Sequence, residues 1–352
     1  MSYAALKHRQ VIRVGVDVWN VPYDRRGIGR YVREMVKCLR DEHAGEVACT
    51  LVIPEWATWI AGPRYLREIG GAALPVASRR AARSRRFDLL WFPFNGPSWD
   101  DFRGPSVATL HDALNFALPG FSDDTRAPFR RAAERCEHIV TDSQFSRSEL
   151  LRVLPLEPER ISVVLPGVAP LPVGTPSLDI AALGTYLLFV GETDARKGID
   201  TFVAAAELLR ARSIDVTCVI AGRIVGSLPA TDGLNVRALG FVDDVTLQAL
   251  YQGCGAFVFP SRYEGFGLPI LEALLAGAPV VASAGSSLIE AGGDAALYAP
   301  PDDAAAFADA VQRIFSDATL AATLRRRGIE RARAMTWSRA AGALVDVFRQ
   351  IA

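Results

Sequence analysis

Two glutamates in the stretch SRYEGFGLPILEALLAGAPVVAS, Glu264 and Glu272, have a spacing that could serve one bound molecule. The run GAFVFP before them is typical of a buried strand and LPILEALLAG of a helix. Glu264 is therefore predicted on the connecting loop and Glu272 one turn into the helix. Pro269 suits the first helical turn, whose unpaired N–H groups and positive dipole end can hold a phosphate. Gly265 and Gly267 let the backbone approach a ligand closely, and Glu272 could accept hydrogen bonds from two vicinal hydroxyls.

Two other interpretations of the glutamate pair compete with a ligand site. Acidic residues near a helix N-terminus are favoured by the dipole alone, so a single glutamate there would be structural. A pair of carboxylates is also what glycoside hydrolysis requires. The complete string favours a ligand site, because one glutamate belongs to a loop and the other to a helix whose N-terminus attracts anions.

A second stretch, YLLFVGETDARKGID, places two adjacent cations, Arg196 and Lys197, after a predicted strand and just before a predicted helix. An arginine offers a bidentate fork to an anion, and a lysine offers a point charge. An isolated Arg-Lys pair is more often a solvated basic loop, but the position after a strand favours an anion site. The sequence GxxxxGK[ST] is absent, so the site is not a Walker loop.

Two stretches in the N-terminal half could contribute to a site of the same kind. Gly27 and Gly29 precede a predicted helix, as in half of a dinucleotide fingerprint whose third glycine position is here Val32. Gly29 could bring the backbone close to a phosphate, or it could only cap and pack the helix. His111 and Asp112 end a predicted strand. A lone histidine is usually a packed or surface residue, but this position makes a functional role equally well supported.

Strand-like and helix-like runs alternate along the chain, which predicts an α/β fold with parallel sheets covered on both faces. Four prolines between Pro166 and Pro176 interrupt the pattern and mark a linker. We therefore expect two doubly wound, Rossmann-like domains facing a cleft that holds the site, over residues 1–168 and 169–335. A final helix, 336–352, could cross back onto the first domain. Ser146 and Glu149 have capping-box spacing, which predicts a helix start at Ser146.

Composition excludes several classes of protein. The 39 basic and 39 acidic residues balance, so no whole-molecule field would collect nucleic acid. The five cysteines are scattered without a CxxC pair, which predicts reduced thiols, a cytoplasmic protein and no cysteine metal site. The N-terminus does not resemble a secretory signal, and no run approaches the ~18 apolar residues of a membrane span. The run from Arg79 to Arg86 is predicted to be a solvated helix face, with contact to anionic lipid at the inner membrane face as the alternative.

The stretch RYEGFGLPILEALLAGAPVVAS resembles the E-x7-E signature of the family-four retaining glycosyltransferases, which have the two-domain GT-B fold. GIGRY, TLHD, TDSQFSRSEL, FVGETDARKG and LGFVDDVTLQALYQGCGAFVFPS follow the expected order, so the resemblance covers most of the chain. GIGRY and TLHD are most similar to the mannosyltransferase-like branch, which uses GDP-mannose in the synthesis of surface polysaccharides or lipid-linked glycans. The resemblance implies a retaining hexosyltransferase that takes a nucleotide-sugar donor and a glycan or lipid-linked acceptor and needs no metal.

The resemblance also implies roles for the residues of the second domain, which would bind the nucleotide sugar. Arg196 and Lys197 would neutralise the departing diphosphate, and Glu264 would hold the donor sugar. Glu272 would bind the ribose hydroxyls. Backbone N–H groups would bind sugar hydroxyls and phosphate at Phe266, Gly267 and Leu268.

Four further positions follow from the same resemblance. Gly29 would touch the phosphate from the first, acceptor-side domain, and His111 would line the sugar pocket. Phe241 and Val242 would lie near the base. Many relatives have arginine where this chain has Glu192, so the diphosphate would depend more heavily on the two cations of the turn.

Two other functions are compatible with these residues. One is a nucleotide-sugar epimerase or hydrolase of the same fold, and the other is a catalytically silent nucleotide- or glycan-binding protein. The intact Glu264, Glu272, Arg196 and Lys197 argue against the silent protein, because such groups are the first to be lost when an activity decays.

Overall fold

The computed structural model of the chain describes residues 11–24, 27–60, 62–69, 74–84, 87–231 and 233–352. The chain divides into two compact units, one made of the residues up to Gly167 together with Trp337–Ala352, and the other of Val168–Thr336. Each unit contains a sheet whose strand pairs among the described residues are all parallel. The predicted fold class, two Rossmann-like α/β domains, is confirmed.

Within the residues that the structure describes, the sheet of the first unit has seven strands. They are β1 (Ile12–Asp17), β2 (Val47–Ile53), β3 (Val76–Ser78), β4 (Leu89–Phe92), β5 (Ser106–Thr109), β6 (His138–Thr141) and β7 (Ile161–Val163). The helices that accompany them are α1 (Ile28–Asp41), α2 (Glu55–Ile60), α3 (Gly62–Glu68), α4 (Arg79–Ser84), α5 (Leu114–Ala117), α6 (Asp123–Arg135) and α7 (Gln144–Val153). The strand order is β3-β2-β1-β4-β5-β6-β7, so the direction of winding reverses between β1 and β4.

In the described part of the second unit, the sheet has six strands. They are β8 (Tyr186–Val190), β9 (Thr217–Ala221), β10 (Asn235–Gly240), β11 (Ala256–Phe259), β12 (Val280–Ser283) and β13 (Ala296–Ala299). The helices are α8 (Ile199–Ala211), α9 (Asp244–Gly253), α10 (Leu268–Leu275), α11 (Leu288–Gly292), α12 (Ala304–Ser316) and α13 (Ala318–Ala334). The order β10-β9-β8-β11-β12-β13 reverses between β8 and β11.

Alternate residues of β8 show why the second sheet is covered on both faces. Leu187 and Phe189 belong to one buried cluster, where the ring centroid of Phe189 lies 5.5 Å from that of Phe202 on α8. Leu188 and Val190 belong to a separate cluster built with α9 and α10. A strand buried on both sides must be apolar throughout, which is why YLLFV has no polar alternation.

The last helix, α14 (Trp337–Ile351), belongs to the first unit. Its Trp337 ring lies 5.9 Å from Tyr31 of α1, and its Phe348 ring lies 5.9 Å from Trp91 of β4. Arg349 forms an ion pair with Glu46, just before β2. None of the helices that the structure describes is both long and apolar enough to cross a membrane.

One local prediction was wrong, and a second was wrong in part: Arg80 and Arg83 are exposed on α4, as a solvated helix face requires, but Arg79 is not. The hydroxyl of Ser143, not Ser146, caps α7 by accepting a hydrogen bond from the Ser146 N–H at 3.0 Å, so the helix begins at Gln144. Arg79 is not solvated, since its side chain is 16% exposed and its guanidinium donates to Ser98 at 2.5 Å and lies 3.5 Å from Asp17. Arg85 and Arg86 lie outside the described residues.

Candidate functional site

The candidate site lies where the winding of the second sheet reverses. Arg196 and Lys197 follow β8, and Glu264 follows β11, the strand that pairs directly with β8. Parallel neighbours end at the same edge of a sheet, so residues 67 positions apart in sequence come together. This reversal point is where open α/β sheets bind ligands.

Two hydrogen-bond donors and a second cation surround one carboxylate oxygen, Glu264 Oε1, and Arg196 Nη1 itself donates to the Tyr263 carbonyl at 3.0 Å. The Lys197 ammonium donates to it at 2.5 Å and the Ser261 hydroxyl at 2.6 Å, while Arg196 Nη1 lies 3.5 Å away. The side chains of Glu264, Lys197 and Arg196 are 12%, 14% and 23% exposed, so these charges are partly shielded from water. The Lys197 ammonium also lies 5.3 Å from the ring centroid of Phe259, within the range of a cation–π contact.

The two cations stand on a short 3-10 turn, Ala195–Lys197, that the surrounding chain fixes in place. The Asp194 carboxylate caps the turn by accepting from the Lys197 N–H at 3.0 Å. Gly198 ends it with a φ of 72°, and a Cβ there would lie 2.2 Å from the carbonyl oxygen of Pro260. A side chain at this position would push the turn away from the loop after β11.

Arg262 binds the same turn from the other side. Its guanidinium donates to Asp200 at 2.7 and 3.1 Å, to Asp302 at 2.6 Å and to the carbonyl of Ala195. Its backbone N–H donates to the Arg196 carbonyl at 2.8 Å. The hydrogen bonds with Asp200 raise the pKa of Arg262 and lower the pKa of the Asp200 carboxyl. Arg262 therefore joins the loop after β11 to the start of α8.

The loop after β12 holds the backbone of Glu264. The Glu264 N–H donates to the Ser286 hydroxyl at 3.3 Å, and the Ser287 hydroxyl donates to the Glu264 carbonyl at 2.8 Å. Ser286 has a φ of 55°, a left-handed conformation that is uncommon for residues other than glycine. The loops after three neighbouring strands, β8, β11 and β12, thus meet around one residue, Glu264.

The helix that follows, α10, begins at Leu268 behind Gly267, as the sequence predicts. Phe266 is 4% exposed, so it offers the site its backbone and keeps its ring in the core. Glu272 lies in the second turn of the helix, and its Oε2 accepts a hydrogen bond from the Tyr251 hydroxyl at 3.3 Å. The amino end of α10 therefore stands directly after the loop that carries Glu264.

Phe241 and Val242 lie on the segment between β10 and α9. The Phe241 side chain is 69% exposed, whereas Val242 packs partly against the core of the second unit. An exposed aromatic ring at the carboxyl end of a strand offers a flat face on which a planar ligand can stack.

Glu192, the position at which this chain departs from the expected arginine, accepts hydrogen bonds from Arg223 at 2.8 and 3.0 Å. Arg223 follows β9, the strand next to β8. Both side chains are largely exposed, at 46% and 71%. A cation therefore still stands at this edge of the sheet, but it comes from the neighbouring strand.

His111 lies in the first unit and is 6% exposed. Its Nδ1 is 2.7 Å from Asp142 Oδ2 and its Nε2 is 2.9 Å from the Pro93 carbonyl oxygen. Burial alone would lower the pKa of His111, but the charge of Asp142 and the two hydrogen bonds raise it. The Pro93 carbonyl can only accept, so Nε2 carries a proton, and the raised pKa favours the imidazolium beside Asp142.

Gly29, also in the first unit, is buried in the first turn of α1. A Cβ at this position would lie 1.8 Å from the carbonyl oxygen of Asp24. The glycine is therefore required for the close approach of α1 to the preceding loop, which is the packing role that the sequence left open. His111 and Gly29 are each accounted for by contacts within their own unit.

Several polar residues that complete the site were not predicted from the sequence. Ser261 lies inside the glutamate stretch itself, and its position at the end of a strand was an available signal. Arg262 adjoins it, but nothing in the sequence reveals its partners Asp200 and Asp302. Ser286 follows the next strand in space, which the sequence does not specify.

Two family models match the chain, and together they cover most of it. A model described as "Glycosyltransferase Family 4" matches residues 25–170, and one described as "Glycosyl transferases group 1" matches residues 184–317. They fall on the first and second units respectively.

The curated relatives described next are named as enzymes that transfer a sugar. An O-antigen chain mannosyltransferase B of Escherichia coli is 30% identical over 268 residues, which are 69% of this chain and 70% of the relative. A D-inositol 3-phosphate glycosyltransferase of Stackebrandtia nassauensis is 29% identical over 275 residues, which are 69% of this chain and 61% of the relative. The chain thus spans less than two thirds of the length of the second relative.

Solved structures share the fold at low sequence identity. Sucrose-phosphate synthase from Thermosynechococcus elongatus superimposes with a TM-score of 0.72 at 21% identity, over 96% of this chain and 98% of that one. Anabaena HepE in complex with UDP-glucose gives 0.72 at 16% identity, over 96% and 100%. The fold that these structures share with the chain is GT-B.

Proposed function

The chain belongs to the family-4-type glycosyltransferases, and from that membership we propose that it is a retaining mannosyltransferase. Its donor would be a nucleoside-diphosphate sugar, GDP-mannose, and its acceptor a glycan or lipid-linked glycan of a surface polysaccharide. The convergence of Lys197 and Arg196 on Glu264, at the reversal point of the second sheet, carries this proposal. The loop that carries Glu264 leads into the amino end of α10, and two cations and a carboxylate near a helix N-terminus would suit a diphosphate joined to a sugar.

The second unit would bind the donor through groups with distinct tasks. Lys197 and Arg196 would neutralise the diphosphate, assisted by the backbone N–H groups of Phe266, Gly267 and Leu268. Glu264 would accept hydrogen bonds from hydroxyls of the donor sugar. The remaining contacts would come from Glu272 with the ribose, and from Phe241 and Val242 with the base.

Such an arrangement would accelerate transfer mainly by stabilising charge. Negative charge grows on the leaving phosphate as the bond to the anomeric carbon breaks. Donors that are already fixed in place stabilise that charge without reorganising at the moment of reaction. The capped turn and the Arg262 clamp fix Lys197 and Arg196 in this way.

The name of the Escherichia coli relative supports mannose as the sugar and an O-antigen-like glycan as the acceptor. The inositol-phosphate glycosyltransferases among the relatives support a second candidate, transfer to a phosphorylated polyol. Five free and buried cysteines agree with a reducing compartment, so we propose that the enzyme acts in the cytoplasm.

Thermal-shift screening with GDP-mannose, UDP-glucose and ADP-glucose tests the donor, because a ligand that binds only the folded state raises its melting temperature. We expect GDP-mannose to give the largest shift. Turnover with a polysaccharide-precursor acceptor should then release GDP and retain the configuration of the anomeric carbon.

Other outcomes would contradict parts of this proposal. A larger shift with UDP-glucose would reject the mannosyl assignment. Release of free sugar or an epimer, with no acceptor product, would indicate a hydrolase or an epimerase. Donor turnover at background across a broad acceptor panel would indicate a silent binding protein.

A further inference from the structure

We propose that Glu264 also acts as an internal counter-ion that competes with the donor's diphosphate for Lys197 and Arg196, so that donor binding exchanges one anion for another. This inference rests on the proposed function and adds a step to it. The exchange would release the Glu264 carboxylate for the donor sugar at the moment when the diphosphate arrives. It would also help to expel the nucleoside diphosphate after transfer.

The first observation is that both cations lie within ion-pair distance of a single atom, although Arg196 Nη1 donates its hydrogen bond to the Tyr263 carbonyl at 3.0 Å. Lys197 Nζ and Arg196 Nη1 lie 2.5 and 3.5 Å from the same oxygen, Glu264 Oε1. A phosphate oxygen that accepts from both groups would have to lie close to the position of that carboxylate oxygen. Two anions at such a distance repel each other strongly in a partly buried site, so one of them must leave.

The second observation is that the cations are held more firmly than the carboxylate. The turn that carries them is fixed by the Asp194 cap, by the contact of Gly198 with Pro260 and by the bonds of Arg262. The Glu264 carboxylate, by contrast, accepts from the Ser261 hydroxyl of its own loop at 2.6 Å, while Ser286 and Ser287 hold its backbone N–H and carbonyl. Rotation of the Glu264 side chain alone would open the anion site and leave both loops in place.

The third observation is that the partly buried charges of the site have few alternative partners. The Lys197 and Glu264 side chains are 14% and 12% exposed, so water cannot readily replace either partner. The diphosphate, which carries more charge than a carboxylate, is a suitable replacement partner for the cations. The sugar hydroxyls that accompany it are suitable new partners for the carboxylate.

The proposal predicts that one substitution at Glu264 strengthens the binding of anions and weakens catalysis. Replacing Glu264 by Gln removes the competing charge and leaves the shape of the side chain. We expect this variant to bind inorganic pyrophosphate and GDP at least about tenfold more tightly than the wild type and to lose most of its transfer activity. If Glu264 only bound the donor, its substitution would lower the affinity and the transfer activity together.

Calorimetric titration of the full-length protein with inorganic pyrophosphate, and separately with GDP and UDP, measures this effect. Asp309→Asn is the matched control, because it also removes one negative charge from the second unit, at an exposed residue of α12 that pairs with Arg212. Its affinities should stay within about twofold of the wild type. Thermal unfolding of each variant establishes that it is folded.

A comparison of the Lys197→Met variant with and without Glu264→Gln tests whether the gain in affinity depends on Lys197. In a Lys197→Met background, Glu264→Gln should give a much smaller gain, because the principal cation that Glu264 occupies is gone. Equal or weaker binding by the Glu264→Gln variant, the same gain with Asp309→Asn, or an undiminished gain in the Lys197→Met background would each overturn the inference.

The test also separates this inference from the proposed function. If the wild type transfers sugar and the Glu264→Gln variant binds pyrophosphate no more tightly, only the counter-ion role is rejected. If neither the wild type nor any variant binds pyrophosphate or a nucleoside diphosphate, and the wild type transfers no sugar, both are rejected.

Discussion

At the scale of single residues, the site is a small set of charges that neutralise one another over short distances. Lys197, Arg196 and Glu264 form this set, and a serine hydroxyl completes the shell of donors around the carboxylate. Partial burial strengthens each interaction and makes the loss of one partner costly for those that remain.

Lys197→Ala should weaken the binding of the nucleoside diphosphate by about 1.5–3 kcal/mol, the usual loss for a hydrogen bond to a charged group. Isothermal titration with GDP measures this loss. Arg212→Ala, which removes a cation paired with Asp309, is the control and should leave the affinity unchanged. Unchanged affinity in the Lys197→Ala variant would reject the anion site.

The site residues that could be predicted from the sequence are those that directly follow a recognisable strand. Arg196, Lys197 and Glu264 each follow an apolar strand run, and parallel topology brings such positions to one edge. Asp142 was missed as the partner of His111, because its role depends on β5 and β6 being neighbours. Sequence spacing cannot show a pairing that only the sheet order creates.

At the scale of elements, the 3-10 turn Ala195–Lys197 depends on its contact with the loop after β11. The contact is close because Gly198 has no side chain, and the bonds of Arg262 complete it. The sequence predicted the strand before this turn and the helix after it. It could not predict the clamp, because Asp302 is 40 residues away from Arg262.

Gly198→Ala should weaken donor binding and lower the melting temperature. The alanine would have to adopt a φ of 72°, at roughly 1–2 kcal/mol, and would also collide with the Pro260 carbonyl. Gly226→Ala separates the two effects, since Gly226 has a φ of 69° but nothing within 4 Å of an added Cβ. We expect its melting temperature to fall less and its GDP affinity to stay unchanged. Equal effects of the two substitutions would contradict a role for the contact.

The buried pair of His111 and Asp142 should make the stability of the first unit depend on pH. Because the folded state raises the pKa of His111, the stabilisation is complete below the unfolded pKa of about 6.5 and is lost as pH rises through the folded pKa. Urea unfolding at several pH values should therefore show the stability advantage of wild type over Asp142→Asn shrinking above about pH 6.5.

His138 supplies a control, because its contribution to stability should change with pH in the opposite direction. Burial lowers the pKa of His138, so its neutral form is favoured in the folded state and its contribution improves as pH rises toward about 6.5. The stability of wild type relative to His138→Gln should therefore grow over that range. An advantage over Asp142→Asn that does not change with pH would show that His111 is not charged in the folded protein.

At the scale of the whole molecule, two parallel-sheet units share one chain, and the charged groups of the candidate site all come from the second. Strand and helix alternation was sufficient to predict this fold class. The contacts of α14 with the first unit required the structure, because an amphipathic helix pattern does not specify which surface the helix covers.

The complete enzyme should retain its transferase activity in the presence of EDTA. Arg196 and Lys197 would supply the positive charge that a divalent cation supplies to a diphosphate in other enzymes. The assay compares initial rates with EDTA and with added Mg²⁺, and a Mg²⁺-dependent pyrophosphatase in the same buffer serves as a control for chelation. A strict requirement for a divalent ion would contradict this division of roles.

The placement of α14 has a consequence for any shortened form of the protein. On the gene, a stop codon after Thr336 lies at the far end of the second unit. In fact it would strip Trp337 and Phe348 from the aromatic packing around Tyr31 and Trp91 and expose apolar surface on the opposite half. Because the backbone passes between the two halves twice, a protease cut at the first passage alone would leave the body of the first unit attached to the second only through the packing of α14.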